Sequence, residues 1–344
     1  AMHGLGIPTT RSLAVVTTGD PVFREETLPG AVLTRVAASH LRVGTFQWAA
    51  AHQDVALLRA LADYTLQRHS PERVSDPNPY AGLLEDVVER QASLIARWQW
   101  VGFVHGVMNT DNMALSGETI DFGPCAFLDA YDPSTVFSSI DHQGRYAFGN
   151  QPDIALWNLS RFGETLLPLL HPDAQQAREM ALKILHRFPG RFREHWTRGL
   201  RAKLGLETVE AGDDALMDDL LEWMAATRAD FTRTFRRLSD AETPQIPEAD
   251  PAFRSWHARW LTRIAAQGRP LGEIQREMRR RNPAVIPRNH RVEAALNSAV
   301  EGDFGPFHRL LAVLSDPYAE LPPDSEFVTP PAPGGEPYRT FCGT

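Results

Sequence analysis

The sequence lacks three features that would each point to a particular class of protein. No stretch of about eighteen consecutive apolar residues occurs in the 344-residue chain, so no segment predicts a membrane-spanning helix. Only two cysteines are present, too few for the disulfide framework of a small secreted domain, and this favours a reducing compartment. Basic residues do not outnumber acidic ones: the formal net charge is −8, which argues against nucleic acid as the main partner.

The composition that remains is typical of a soluble globular protein. Apolar residues make up 43% of the chain and charged residues 23%, and the length suffices for one large domain or two ordinary ones. One local departure from the acidic balance is a group of arginines, which we interpret as a solvated face or an ion-paired docking surface. This basic cluster comprises Arg276, Arg279, Arg280, Arg281, Arg288 and Arg291.

Hydrophobic periodicity divides the chain into a short β region and a long helical region. Residues 12–18 and 31–37 are rich in Val and Leu and predict two strands joined by a loop at residues 19–21. From about residue 50 the apolar spacing becomes helical, with short strands expected at residues 101–104 and 119–121. The Pro-rich segment from residue 321 favours an extended, irregular tail. Helices are predicted at residues 55–66, 84–98, 152–170, 175–187, 213–237, 250–266 and 292–299.

The segment with the clearest chemical signature begins at His105. Kinases place a catalytic Asp two residues after a His and a metal-binding Asn seven residues after it, and an Asp-Phe-Gly sequence follows. Here Asn112 keeps the seven-residue step, and Asp121 opens an Asp-Phe-Gly sequence nine residues later. Asn112 and Asp121 can therefore supply oxygen ligands to one divalent cation.

The same segment departs from the kinase pattern at the catalytic base. Val107 occupies that position and cannot accept a proton, and Asp111 is the only nearby carboxylate of the loop that could substitute. A structural interpretation stays open on these residues alone, because Asp121 can be a turn residue and Asp111 can form a side-chain turn. His105 is expected to pack and hydrogen-bond in the loop rather than to catalyse.

Several longer runs of the sequence are specific enough to identify a family. They read HGVMNTDNM at 105–113, IDFGPCAFLD at 120–129, SIDHQGRYAFGNQP at 139–152, ALWN at 155–158, GIPTTR at 6–11, TRVAASHLRVGTF at 34–46, NP at 282–283 and IPRNH at 286–290. Together they resemble the selenoprotein O family of protein adenylyltransferase pseudokinases, and the resemblance covers essentially the whole chain.

The resemblance implies a protein-kinase-like fold that binds ATP flipped relative to a kinase, so that the α-phosphate faces the acceptor. Asp111 resembles the family's proton acceptor, and Asn112 and Asp121 resemble its ligands for Mg²⁺, with Mn²⁺ as an alternative. Arg35 and Arg42 resemble its contacts to the nucleotide phosphates, and forked guanidinium hydrogen bonds suit a polyphosphate. Ordinary surface ion pairing is the other interpretation of the two arginines.

The fold class implied is α+β, a protein-kinase-like fold with part of the N-lobe and a mainly helical C-lobe with a helical C-terminal extension. We expect residues 1–49 to form the remainder of the N-lobe and the hinge, and residues 50–172 the catalytic core. Residues 173–320 would form the helical extension and residues 321–344 the Pro-rich tail. The family's glycine-rich loop and phosphate-binding Lys are expected upstream of Ala1, which would make this chain the larger, C-terminal part and leave it half of the nucleotide cradle.

The expected function is transfer of AMP from ATP to Ser, Thr or Tyr hydroxyls of protein substrates, with release of pyrophosphate. One alternative is a phosphotransferase of the aminoglycoside-kinase type, against which Val107 counts. A catalytically silent nucleotide-binding scaffold is the other, although retention of Asp111, Asn112 and Asp121 counts against it. The expected location is the cytoplasm, or the mitochondrial matrix in a eukaryote, and neither nucleic acid nor a membrane is an expected partner.

The two cysteines predict a redox-sensitive disulfide. Cys125 follows the Asp-Phe-Gly sequence by two residues, and Cys342 lies at the end of a tail long enough to fold back across the body. A bond between them would pin the tail over the site and gate substrate access. The alternative is two unrelated free thiols, which a reducing compartment favours.

Overall fold

The computed structural model describes residues 1–23, 27–240, 250–322, 324–332 and 338–341. Within these ranges the architecture is mixed α and β, mostly helical, with two small antiparallel sheets. The strands are β1 (Arg11–Phe23), β2 (Thr27–Val36), β3 (Phe103–Val104) and β4 (Ala126–Phe127). The helices are α1 (Val43–Ala51), α2 (Val55–His69), α3 (Pro79–Val101), α4 (Gln151–Leu170), α5 (Ala174–Leu185), α6 (Phe188–Lys203), α7 (Asp213–Thr227), α8 (Phe231–Leu238), α9 (Pro251–Ala265), α10 (Leu271–Arg279), α11 (Asn289–Val300) and α12 (Gly305–Ser315). Among the helices of the described ranges, none combines the length and the apolar character that crossing a bilayer demands.

Strands β1 and β2 form a long antiparallel hairpin, which confirms the two strands predicted near the N-terminus. The loop predicted at residues 19–21 is wrong: these residues lie within β1, where the pairing register shifts. Gly19 has a positive φ of 82°, which permits a bulge that bends the strand without ending it. Almost every residue of the hairpin is exposed, with Gly30 buried and Arg35 half-buried.

The second sheet, β3 with β4, brackets the segment that carries the chemical signature. Strand β3 confirms the second half of the strand expected at residues 101–104. The strand expected at residues 119–121 is wrong, because β3 pairs instead with β4, which begins five residues after Asp121. Thr119 forms only an isolated bridge to Thr9, and Asp121 has a left-handed φ of 57°, which an extended strand cannot accommodate.

Helix α3 passes through the larger of the two main cores and delivers the chain to this sheet. It begins after Asn78, whose side chain accepts the N–H of Ala81 at 3.1 Å, and Pro79 occupies its first turn. Its apolar face packs against α4, α5 and α6, as its helical spacing predicts. The helix ends at Gly102, which has a left-handed φ of 72°, and β3 follows at once.

The C-terminal half is helical and packs largely around a second core. The single helix predicted at residues 213–237 is wrong in one respect: Arg228 takes a left-handed φ of 51° and separates α7 from α8. The surface role predicted for the basic cluster is wrong for Arg288, whose side chain is only 1% exposed. The described residues beyond 320 form no helix and no sheet strand, as their proline content predicts. The division of the chain into four parts stays a prediction.

Candidate active site

His105 anchors the start of the candidate catalytic loop, residues 105–112. Its backbone N–H donates to Oε1 of Gln151 at 3.0 Å, and its Nε2–H donates to the carbonyl of Ile120 at 2.8 Å. The ring packs against Trp98 and Phe103, and burial lowers the pKa of His105, so the neutral imidazole is favoured. These contacts match the structural role that the sequence predicts for His105.

The loop lies directly against the segment that follows Asp121. Gly106 has a positive φ of 84°, and a Cβ at this position would lie 2.4 Å from the carbonyl oxygen of Pro124, so only glycine fits. Farther along, Nδ2 of Asn158 donates to the carbonyl of Met108 at 2.8 Å. The Tyr146 hydroxyl donates to Oδ1 of Asn109 at 2.7 Å. The loop is thus fixed at its start and in its middle.

Asp111 and Asn112 end the loop in a short 3-10 turn, Thr110–Asn112. Asp111 is exposed, and the backbone of Gly44, in the first turn of α1, packs against it: a Cβ on Gly44 would come within 3.3 Å of the Asp111 nitrogen. Nδ2 of Asn112 donates to the carbonyl of Val107 at 3.1 Å. The amide oxygen of Asn112 is therefore the atom left to face a cation.

Asp121 contacts both Arg35 and Arg42, the two arginines predicted to bind the nucleotide phosphates. Nη1 of Arg42 lies 3.2 Å from Oδ2 of Asp121, and Nη1 of Arg35 contacts its Oδ1. Arg35 comes from β2, while Arg42 precedes α1 and bridges Ala114, next to the end of the loop. All three side chains are between 24 and 30% exposed, so they remain accessible to a ligand.

The charges of Arg35, Arg42 and Asp121 suit an anion that is bound together with a divalent cation. Two guanidiniums and one carboxylate leave a net charge of +1 beside the loop. In the described ranges no group of three or more His, Cys, Asp or Glu side chains could by itself hold a metal ion. Asp121 and Asn112 offer one carboxylate and one amide oxygen, which fits Mg²⁺, because that ion commonly takes its remaining ligands from phosphates and water.

Three residues that hold the loop had no assigned role in the sequence analysis: Gln151, Asn158 and Tyr146. Gln151 and Asn158 both lie on α4, seven residues or about two turns apart, so they project from one face. Both are buried amides, which require hydrogen-bond partners. A pair of amides at this helical spacing on an otherwise apolar face is the signal that could have identified them.

The structure describes one of the two cysteines, since Cys342 lies outside the described residues. Among the described residues Cys125 has no disulfide partner, and burial raises the pKa of its thiol to about 12, although part of the residue surface is exposed. The tail does return to this region, because Oγ1 of Thr340 donates to the carbonyl of Pro124 at 2.8 Å. The disulfide and the cytoplasmic location both stay predictions, and non-reducing peptide mass spectrometry of oxidised protein tests the first.

Comparison with known proteins identifies the family of the chain. Residues 1–315 match the family described as Protein adenylyltransferase SelO. A Protein nucleotidyltransferase YdiU from Brevibacillus brevis is 59% identical over 346 residues, which cover all of this chain and 70% of that protein. Proteins of the same name from Alkaliphilus metalliredigens and Geobacillus kaustophilus are each 58% identical, and this chain covers 70% and 72% of them. The family match starts at residue 1, so it does not bear out the expectation that this chain is only a C-terminal part of the family's domain. The chain belongs to the SelO family of protein adenylyltransferases.

Proposed function

We propose that this protein transfers AMP from ATP to Ser, Thr or Tyr hydroxyls of protein substrates. The acceptor oxygen forms a bond to the α-phosphorus, the bond from that phosphorus to the bridging oxygen breaks, and pyrophosphate leaves with the displaced electron pair. The observation that carries the proposal is the convergence of Arg35, Arg42 and Asp121 beside the loop that presents Asp111.

Arg35 and Arg42 are assigned to the distal phosphates of ATP. Each positively charged guanidinium offers several N–H donors in one plane, which suits phosphate oxygens. Both arginines already contact Asp121, so they lie where a nucleotide would meet a metal-binding carboxylate. Held there, they would also stabilise the negative charge that develops on the departing pyrophosphate.

Asn112 and Asp121 are assigned as the residues that would hold a divalent cation, Mg²⁺ or Mn²⁺. When bound, such a cation neutralises phosphate charge and polarises the reacting phosphoryl group. The contribution of the protein is orientation: Val107 fixes the Asn112 amide through its carbonyl, and the two arginines fix the Asp121 carboxylate. The hydrogen bonds from Asn158 and Tyr146 hold the middle of the catalytic loop, which ends at Asn112.

Asp111 is assigned as the base that takes the proton of the acceptor hydroxyl. Its exposure suits this role, because the acceptor belongs to a protein and has to approach from solvent. Val107, in the position of the usual kinase base, is apolar and cannot compete for that proton. A kinase-like lobe is the arrangement we infer, with the loop between β3 and β4 as its catalytic segment.

Two preparations of ATP test the proposal, one labelled at the α-phosphate and one at the γ-phosphate. The full-length protein is incubated with each in the presence of Mg²⁺, and protein-bound label is counted. Adenylyl transfer places only the α label on protein, whereas a phosphotransferase would place only the γ label. The variant Asp111→Asn, which keeps the size of the side chain but not its basicity, is the matched control. Absence of both labels, with ATP still bound, would establish a silent scaffold.

A further inference from the structure

A second group of residues lies beside the catalytic loop, and apart from Tyr146, which holds that loop through Asn109, its members have no role assigned above. It consists of Arg145, Tyr146, Trp157 and Arg161, which we call the cation–aromatic patch. The guanidinium of Arg145 lies 4.7 Å from the ring centroid of Trp157 and 5.6 Å from that of Tyr146. Arg161 approaches the same indole at 5.6 Å. Trp157 is 39% exposed and Arg145 is exposed, so the patch faces solvent.

The patch is joined to the loop of Asp111 by a direct contact. Tyr146, the residue next to Arg145 in the sequence, donates its hydroxyl hydrogen to Asn109 of that loop. The turn that carries both residues is itself fixed, since the Asp141 carboxylate accepts the N–H of Arg145 at 2.9 Å and that of Tyr146 at 2.8 Å. Gly144 takes a left-handed φ of 69° in the same turn. The patch therefore lies beside the loop that presents Asp111 to an acceptor protein.

The two arginines of the patch differ in how their charge is satisfied. Nη2 of Arg161 lies 2.6 Å from Oε1 of Glu164, so its charge is paired within the protein. No side-chain carboxylate in the described part of the chain forms an ion pair with Arg145. Stacking on aromatic faces leaves the in-plane N–H donors of a guanidinium free to bind another group. Arg145 thus lies over two aromatic rings without an ion-pair partner among the described residues, which leaves its N–H donors available to an anion.

We propose that Arg145 binds an acidic side chain of the acceptor protein next to the hydroxyl that receives AMP. Carboxylate is the complementary partner, because a planar guanidinium and a carboxylate form paired, charge-assisted hydrogen bonds. The exposed indole of Trp157, which lies beside the Arg145 guanidinium, offers apolar surface to the stem of that side chain. This inference rests on the proposed function, since it names a feature of its substrate.

Two short peptides with one serine test the inference, one with glutamates flanking the serine and one with glutamines. Peptide binding is measured by fluorescence anisotropy without ATP, and AMP transfer is measured separately with α-labelled ATP. The full-length protein should favour the glutamate peptide by about three- to tenfold in both measurements, the scale of a partly exposed charge-assisted pair. Arg145→Gln should remove this preference and leave activity on the glutamine peptide unchanged, while Arg145→Lys should retain part of it.

Arg161→Gln is the matched control, because it removes an equal charge from the same indole but one that Glu164 already pairs. It should leave the ratio between the two peptides unchanged. A merely structural role for Arg145 would lower activity on both peptides equally. Equal use of the two peptides by the unaltered protein would overturn the inference while the proposed function stands. Arg145-dependent binding without transfer of label would support acidic recognition and count against adenylyl transfer.

Discussion

Replacing Arg288 with Met should destabilise the fold far more than removal of a surface arginine. The Arg288 side chain is 1% exposed, and its Nη1 lies 2.6 Å from Oδ1 of Asp129 and 2.7 Å from Oδ2 of Asp230. Asp129 follows β4, Asp230 caps α8, and Arg288 immediately precedes α11. One buried cation therefore joins the segment after the Asp-Phe-Gly sequence to two helices of the C-terminal half.

The size of the loss follows from what the substitution leaves behind. Arg288→Met keeps much of the apolar stem but leaves two carboxylates, 21% and 16% exposed, without their cation. Removing one partner of a buried ion pair costs about 3–5 kcal/mol, and we expect the lower end because both carboxylates retain some contact with water. About 3 kcal/mol corresponds to roughly two orders of magnitude in the unfolding equilibrium.

Urea unfolding followed by circular dichroism measures this loss as the change in the free energy of unfolding. Arg259→Met is the matched control, because the pair of Arg259 with Asp219 lies on the surface at 52% and 43% exposure and should contribute at most about 1 kcal/mol. Replacing Asp129 and Asp230 with Asn in the Arg288→Met background should recover part of the stability, since no buried charge then remains. Equal losses for Arg288→Met and Arg259→Met would refute the reasoning.

Three further predictions concern the site and one buried lysine. Asp121→Ala should abolish metal-dependent ATP binding, whereas Asp111→Ala should keep ATP binding and slow AMP transfer by about two to four orders of magnitude; calorimetry and label transfer separate the two roles. Arg35→Ala and Arg42→Ala should each weaken ATP more than AMP, and equal weakening of both nucleotides would move the arginines away from the distal phosphates. Burial lowers the pKa of Lys203 from 10.5 to about 7. Between these two pH values the unfolded chain binds one more proton than the folded chain. The free energy of unfolding should therefore rise with pH across that window, by up to about 1.4 kcal/mol per pH unit. Two phenyl faces near the Lys203 ammonium oppose this lowering of its pKa. Unfolding experiments at several pH values should show that Lys203→Met removes the pH dependence of the free energy of unfolding.

Long periodic elements could be predicted from the sequence, because one side of each has to be buried. Helices α3 and α4 carry apolar residues at helical spacing over several turns, and both predictions are confirmed. Strand β4 is two residues long and has no period to detect, so the strand was expected too early in the chain. The break at Arg228 was missed because no Gly or Pro marks it, and the left-handed conformation is uncommon for arginine.

In the candidate site, likewise, features formed by residues close in sequence could be predicted, and contacts between residues far apart in sequence could not. The loop with Asp111 and Asn112 could be located from spacing alone, since its residues are close in sequence. The approach of Arg35 to Asp121 joins residues 86 positions apart, and it was not predicted: the family resemblance suggested only that Arg35 contacts the nucleotide phosphates. The ion-pair partners of Arg288 lie 159 and 58 positions away in the sequence. The arginine-rich run therefore gave no sign that one of its members is buried, and the whole run was predicted to lie on the surface.

The hairpin makes the two arginines at Asp121 unequal, although their charges are the same. Arg35 lies on a ribbon with almost no buried side chains, and local opening of such a ribbon costs little free energy. Arg42 sits where Val43 donates its N–H to the carbonyl of Met113 at 3.0 Å, beside the buried start of α1. Amide hydrogens of the hairpin should therefore exchange with solvent sooner than those around Arg42. Of the two guanidiniums, we therefore expect the contact of Arg35 with Asp121 to open more readily than that of Arg42.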